Sequence, residues 1–216
     1  FGTSEFAVPS LRSLMQDGRF AVIGVVTQPD RPVGRHATLT APPIKQALLD
    51  TPDDDRIATK EHILQPEKLL DEPFCSWLKE VGPTCDAFVV VSYGKILPQW
   101  LLDIPKKGVI NVHGSILPRW RGASPIQAAI AAGDTQSGVT IMQMDAALDH
   151  GPIIQIAEEP ILPTDTGNTL HDRLALLGAT ILPSALADYL AGTRIPYEQD
   201  HTQATTCKTL SRENGK

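Results

Sequence analysis

The sequence is short of cysteine. Its three cysteines, Cys75, Cys85 and Cys207, are odd in number and show neither a CxxC pair nor any other metal spacing. A disulfide framework is excluded on that count, and a reducing compartment is expected. No apolar run approaches transmembrane length and no signal peptide is visible, although a chain that opens on Phe1 gives the second absence little weight. Basic residues are also scarce. Lys and Arg number 19 against 25 Asp and Glu, for a formal net charge of −6. A chain-wide basic surface for nucleic acid is therefore excluded, but a local basic patch is not. There is no GxGxxG and no GxxxxGK[ST], so neither a dinucleotide fingerprint nor a P-loop is supported. Six histidines (His36, His62, His113, His150, His171, His201) form no HExxH and no pair with cysteine, and no metal is expected. A serine-hydrolase elbow, G-x-S-x-G, is missing too, and there is no internal repeat.

What is present fits an α/β chain. The 216 residues, 42% hydrophobic, suffice for one large domain or two small ones. Residues 1–6 read as a strand end turning into a helix with Pro9 near its start and Leu11, Leu14 and Met15 as its apolar stripe. Residues 20–27, 86–92, 108–113, 139–144 and 153–157 read as strands. Residues 28–41 read as a loop carrying Arg31, Arg35 and His36, followed by a short helix near 44–49 and an acidic turn over 50–55. Ser124, Pro125 and Gly133 mark the start and stop of a helix, and Leu170, Leu174, Leu177 and Ile181 carry helical spacing. The stretch 196–216 is polar and without period, as a linker is. Strands alternating with helices predict a mostly parallel central sheet with helices on both faces. Ligands in such sheets sit at the carboxyl ends of the strands. The polar loops there are 2–6, 92–98, 113–122 and 145–151.

Three side chains in those loops carry chemistry. Asn111 and His113 lie two apart on one strand and so share a face. Asp149 sits in Leu148-Asp149-His150-Gly151-Pro152. An amide can hold a developing oxyanion, an imidazole can move a proton, and a carboxylate can steer the imidazole, which is what acyl transfer to an amine needs. The plain alternatives are a satisfied polar pair at a strand end and an Asp that caps a turn before glycine. Gly114-Ser115 and Pro118 break the strand just after the pair, which places it at the ligand edge. Beside it, Arg119-Trp120-Arg121 is either a solvated surface cluster or a contact for an anionic or planar ligand.

The residues resemble the folate-dependent formyltransferases. That group shares the Asn-x-His pair, a Ser-hydrophobic-Leu-Pro turn and a Leu-Asp-x-Gly turn, matched here by Asn111/His113, Ser115–Pro118 and Leu148–Gly151. Gln28-Pro29-Asp30-Arg31-Pro32, Pro118-Arg119-Trp120-Arg121-Gly122-Ala123 and 138–145 (GVTIMQMD) are similar to the methionyl-tRNA formyltransferase branch in particular. The resemblance implies a Rossmann-like formyltransferase domain over 1–195, with 196–216 as a linker toward a C-terminal β-barrel domain that has no counterpart in this sequence. A first strand would precede Phe1.

The activity implied is transfer of the formyl group of 10-formyltetrahydrofolate to the α-amine of initiator methionyl-tRNA, in translation initiation. Asn111, His113 and Asp149 would be catalytic. The folate would lie on Tyr93, Gly94, Lys95, Ile96, Leu97 and Pro98, on Ser115, Ile116, Leu117 and Pro118, and on Met144 and Asp145. Phe6 would face the methionyl side chain. Arg31, Arg35, Arg119, Trp120 and Arg121 would serve the tRNA. No membrane partner is expected, nor an oligomer beyond the monomer. The implied compartment is the bacterial cytoplasm, with the mitochondrial matrix as alternative should a targeting segment precede this sequence. Two other functions stay open: a folate-dependent formyltransferase acting on an amino-sugar nucleotide, and a catalytically silent folate- or tRNA-binding module.

Overall fold

The computed structural model describes residues 1–50 and 62–209. Part of the expected acidic turn over 50–55 and the end of the expected linker, 210–216, lie outside the described residues. The chain divides after Val109 into two compact units.

The first unit holds α1 (Ala7–Gln16), β1 (Val25–Val26), β2 (Arg31–Val33), β3 (Thr38–Thr40), α2 (Pro43–Leu49), β4 (Ile63–Leu64), α3 (Glu72–Val81), β5 (Phe88–Val90) and α4 (Gln99–Leu102). Two of its pairings are parallel. β1 pairs with β4, Gly2 bridges in parallel to Val91, and the Gly2 N–H reaches Val26 O at 2.9 Å. Helix α1 forms as its spacing predicts and buries Ala7, Ser10, Leu11 and Leu14. The strand expected over 20–27 forms a ladder at 25–26, with a separate bridge at Val22.

Residues 28–41 are more ordered than a loop. β2 and β3 form an antiparallel hairpin in the register Arg31↔Thr40, Pro32↔Leu39, Val33↔Thr38. Gly34 (φ 75°) and Ala37 (φ 48°) take left-handed backbone in its turn. The base of the hairpin is tied down by Lys45, whose ammonium meets Asp30 at 2.9 Å and Gln65 Oε1 at 2.7 Å. Gln65 in turn donates to Asp30 at 2.7 Å. These two donors, Gln65 first, hold the Asp30 carboxyl below the usual carboxylate range.

The second unit holds β6 (Val109–His113), β7 (Arg121–Gly122), α5 (Pro125–Ala131), β8 (Gln136–Gln143), β9 (Ile153–Pro160), α6 (Gly167–Leu190) and β10 (Thr206–Cys207). Here the strands run antiparallel in the order β6-β8-β9. Every residue of β6 is buried, as expected of an interior strand. Ser124 takes the predicted N-cap position of α5, with Pro125 at the first helical position. Gly133, at φ 72°, follows the helix end.

Helix α6 is long and apolar enough by composition to cross a membrane, contrary to the expectation that no run reaches that length. In this structure it is a core helix. It packs on β8 and β9 and buries Leu170, Leu174, Leu182 and Leu186 with four small residues between them. Gly178 lets it approach the sheet closely, since a Cβ there would stand 3.1 Å from Val112. Thr166 caps it by accepting from the Thr169 N–H at 3.2 Å, and Thr169 Oγ1 accepts in return from the Thr166 N–H at 2.9 Å.

Just before α6, Asp165 accepts from Arg173 at 2.6 Å, from the Leu162 N–H at 2.7 Å and from Thr169 at 2.8 Å. Arg173 above all holds this carboxyl down from 3.8 to about 2. A depressed carboxyl stabilises the fold above its unfolded pKa, and that contribution disappears as the pH falls through the folded one. Asp165→Asn is therefore expected to be less stable than the parent at pH 7. The gap should close between pH 3.8 and about 2, as followed by urea unfolding at stepped pH. A gap that stays constant with pH would refute the assignment.

Candidate active site

β6 delivers Asn111 and His113 to one face of the second unit, opposite Met142 and Thr140 of β8. Both side chains are buried, at 8% and 6% exposure. Asp149 comes from the β8–β9 connection with a left-handed backbone, φ 48°, a conformation that Asp tolerates better than most residues. Gly151 makes the return possible, because a Cβ there would fall 2.1 Å from Gln143 O. The three groups expected to act together are thus brought together.

Their connections differ from the simple expectation that Asp149 grips the imidazole. Asp149 Oδ2 is 3.7 Å from His113 Nδ1, which is ion-pair range and too long for a hydrogen bond. The imidazole is anchored instead through Nε2, 3.0 Å from Trp120 O. A carbonyl only accepts, so Nε2 carries the hydrogen and the neutral ring keeps its lone pair on Nδ1, toward Asp149. Asp149 is fixed by the Gly122 N–H at 2.8 Å and by Asn111 Nδ2 at 3.3 Å. One of the two Asn111 amide hydrogens is directed to Asp149, and the other remains for a ligand.

The turn after β6 is built inward. Ser115 donates to Arg119 O at 2.6 Å. Thr140 Oγ1 donates to Ser115 O at 2.7 Å and accepts from Leu117 N at 3.1 Å. Leu117 belongs to a core cluster with Met142 and Ile153, and its bond to Pro118 is cis. The buried Ser115 and Leu117 side chains therefore face the interior, leaving the half-buried Ile116 and Pro118 nearer the surface. Met144 is half-buried. Asp145 is engaged by His150 Nδ1 at 2.7 Å and by the Ala147 N–H at 2.9 Å.

The three residues expected to serve the tRNA at 119–121 all have partners within the fold. Arg119 forms a bidentate pair with Asp134 at 2.6 and 3.0 Å, and this pair holds the Asp134 carboxyl below the usual range. Trp120 donates to the same carboxylate at 2.7 Å, and the Arg119 guanidinium lies 4.5 Å from its ring centroid. Arg121 is buried, at 8% exposure. It donates to Gln199 Oε1 at 2.6 Å and faces His201 Nδ1 at 2.8 Å. Nε and Nη2 of each arginine and the Trp120 N–H thus have partners within the fold, while the Arg119 side chain keeps 47% exposure.

Residues 196–209 are not a free linker. Tyr197 bridges Ile153, Thr205 Oγ1 accepts from Trp120 N at 2.9 Å, and β10 pairs in parallel with β7. Gln199, Thr205 and Cys207 thus support the site, and the aperiodic polar sequence gave no sign of it.

The expected residues of the first unit divide similarly. Tyr93 is a core side chain, 2% exposed and edge-on to Phe1 at 5.4 Å. Burial pushes its phenol up to about 12. Its carbonyl accepts from Thr3 at 2.8 Å and Gln28 at 3.2 Å. Gly94 turns the chain at φ 82°. Lys95 donates to the carbonyls of Pro66 and Glu67 at 2.6 and 2.8 Å. Leu97 is interior at 4% exposure, Pro98 is half-buried, and Ile96 alone among these apolar residues stands out at 84%. Phe6 is buried at 6%. Its position at the start of α1 turns the ring inward. Arg31 pairs with Glu67 at 2.9 Å in the open. Arg35 is exposed at the hairpin turn without a carboxylate partner among the described residues.

Among the described residues no group of three His, Cys, Asp or Glu could hold a metal ion. What the trio offers is an amide donor, a basic imidazole nitrogen and a carboxylate fixed close by.

The chain is similar to several known proteins. A methionyl-tRNA formyltransferase of Stutzerimonas stutzeri is 46% identical over 217 aligned residues, covering 100% of this chain and 65% of its own. One of Acidithiobacillus ferrooxidans is 47% identical, with 98% of this chain and 64% of its own covered. The chain therefore spans just under two thirds of the length of these relatives. Among solved structures, an N-formyltransferase of Helicobacter canadensis in complex with folinic acid and dTDP-3-aminofucose superposes with a TM-score of 0.69 at 18% identity, covering 99% of this chain and 70% of its own. That likeness fixes the fold alone. The formyl transferase family itself is matched over residues 1–186, and to that family this chain belongs.

Proposed function

We propose that this chain is the catalytic part of an enzyme that transfers the formyl group of 10-formyltetrahydrofolate to the α-amine of initiator methionyl-tRNA. The observation that carries the chemistry is the meeting of Asn111, His113 and Asp149 within one unit. The acceptor is inferred from the identity to relatives named for methionyl-tRNA. The folate supplies the formyl carbon.

As the amine attacks, negative charge grows on the formyl oxygen, and the second amide hydrogen of Asn111 is free to meet it. The attacking nitrogen must lose a proton. His113 Nδ1 can take it, since Nε2 already donates to Trp120. The new Nδ1–H then faces the Asp149 carboxylate, and a water can bridge the 3.7 Å gap. The same proton can pass to the departing folate nitrogen. No covalent enzyme intermediate is needed, because the amine is the nucleophile.

Ile96 fits a flat, partly apolar ligand, being an apolar side chain left 84% exposed next to buried Leu97. The main chain of 93–98 remains our candidate for a folate contact in the first unit, and Met144 and Asp145 remain candidates in the second. The hairpin carrying Arg31, Arg35 and His36 is our candidate for the acceptor end of the tRNA. We also read the stretch 196–216 as leading on to a further domain, and the cytoplasm as the compartment.

The decisive assay supplies the full-length protein with 10-formyltetrahydrofolate and either charged initiator tRNA or an amino-sugar nucleotide. Formyl-methionyl-tRNA as product supports the proposal. Formylated sugar with no formyl-methionyl-tRNA overturns the acceptor, and no product with either overturns the activity. Arg35→Ala should raise KM for the tRNA several-fold through loss of a phosphate contact, with folate affinity unchanged. Equal damage to both would remove the hairpin from tRNA binding.

A further inference from the structure

Gln199 is buried at 4% exposure, and its chemistry fixes which way the amide points. Arg121 can only donate, and it meets Gln199 through Nη2 at 2.6 Å and Nε at 3.2 Å. The atom facing Arg121 is therefore Oε1. The amide nitrogen is left to donate to Asp149 O at 3.0 Å and Gly151 O at 2.8 Å. Both hydrogens of Nε2 are thus spent on the backbone of the loop that presents Asp149, one residue either side of His150. That loop holds Asp149 at φ 48°. Its next residue, His150, stacks on His201 with centroids 4.0 Å apart and planes 3° from parallel. Arg121 is itself buried with no carboxylate partner among the described residues. Its charge goes to a neutral amide, which sharpens that amide's donation on the far side.

Resting on the roles proposed above for Asn111, His113 and Asp149, we infer that Gln199, oriented by Arg121, is a positioning residue for the transfer reaction: it pins the main chain of the Asp149 loop so that the carboxylate stands against Asn111 and His113. Gln199 touches neither substrate nor the reacting atoms. It acts through Asp149.

The test uses the full-length protein and two variants. Gln199→Ala removes both functions of the amide. Gln199→Glu keeps an acceptor for Arg121 but has no N–H for the two carbonyls, so it should stay folded and still lose rate. Each should lower kcat about 10–100-fold, by analogy with the loss of a group that orients a metal ligand, while KM for the formyl donor and for the amine acceptor stays unchanged. In an Asp149→Asn background the further loss from Gln199→Ala should vanish, since both changes act through one group. The side-chain 15N resonances of His113, recorded without substrate, should shift in both variants. Losses that add fully to those of Asp149→Asn, an effect on KM alone, or parent-like turnover in Gln199→Glu would each overturn the inference. If Asp149→Asn itself proves fully active, the roles of the trio fail. The His113 resonances still decide on Gln199, with a shift supporting positioning and none refuting it.

Discussion

Asn111→Ala is expected to lower formyl transfer by about 10²–10³-fold, the effect of removing one oxyanion donor from a preorganised site. The loss should fall on kcat and kcat/KM alike, because the contact strengthens only as charge develops. One local effect adds to it. Asn111 Nδ2 also donates to Asp149 Oδ1, so the carboxylate is left on the Gly122 N–H alone. The β6–β8 ladder is backbone in origin and should survive, so thermal melting should stay near the parent. His113→Ala should cost about 10²–10⁴-fold, as for loss of a general base. Single-turnover formylation with saturating folate and charged tRNA measures both. Parent-like turnover in the two variants would remove the trio from the chemistry.

Gly122→Ala is expected to do more damage than its size implies. Gly122 has φ 120°, where a side chain is strained by about 1–3 kcal/mol. A Cβ there would also stand 2.1 Å from Cys207 O, so β7 and β10 must part. The N–H of the same residue holds Asp149 Oδ2 at 2.8 Å. One methyl group therefore attacks fold and chemistry together, and both the melting temperature and the transfer rate should fall. Gly133→Ala is the control. It has similarly left-handed backbone, φ 72°, and no atom within 4 Å of its Cβ. It should cost about 1 kcal/mol and leave the rate alone. Equal behaviour of the two variants in thermal melts and rate assays would refute the clash as cause.

The sequence made some of this legible and not the rest, for physical reasons. Asn111 and His113 were readable because period two puts them on one face, and Asp149 because the Asp-x-Gly pattern marks a turn. Helices α5 and α6 announced themselves by cap residues and leucine spacing. Helix α3 was missed although Asp71, Glu72-Pro73 and the pair Phe74/Leu78 mark a start and a buried face. Its short apolar stripe is diluted by charge. The β2–β3 hairpin was missed because Pro32 and Gly34 read as breakers, whereas they sit in and beside an exposed ladder that tolerates them. The partners of Arg119 and Arg121 were not readable, because sequence shows charge and size but not which groups lie against them in the fold. Arg121 and Gln199 are 78 positions apart.

The pairing of β7 with β10 bears on where this catalytic unit ends. The match to the family model ends at residue 186, although relatives align along the whole chain, and Gln199, Thr205 and Cys207 hold Arg121, Trp120 and Gly122. A boundary drawn at residue 186 would cut away the segment that closes the loop over its own backbone. The hydrogen bonds of this second unit run through β10, so that a strand seeming to lead out of it is tied back into it.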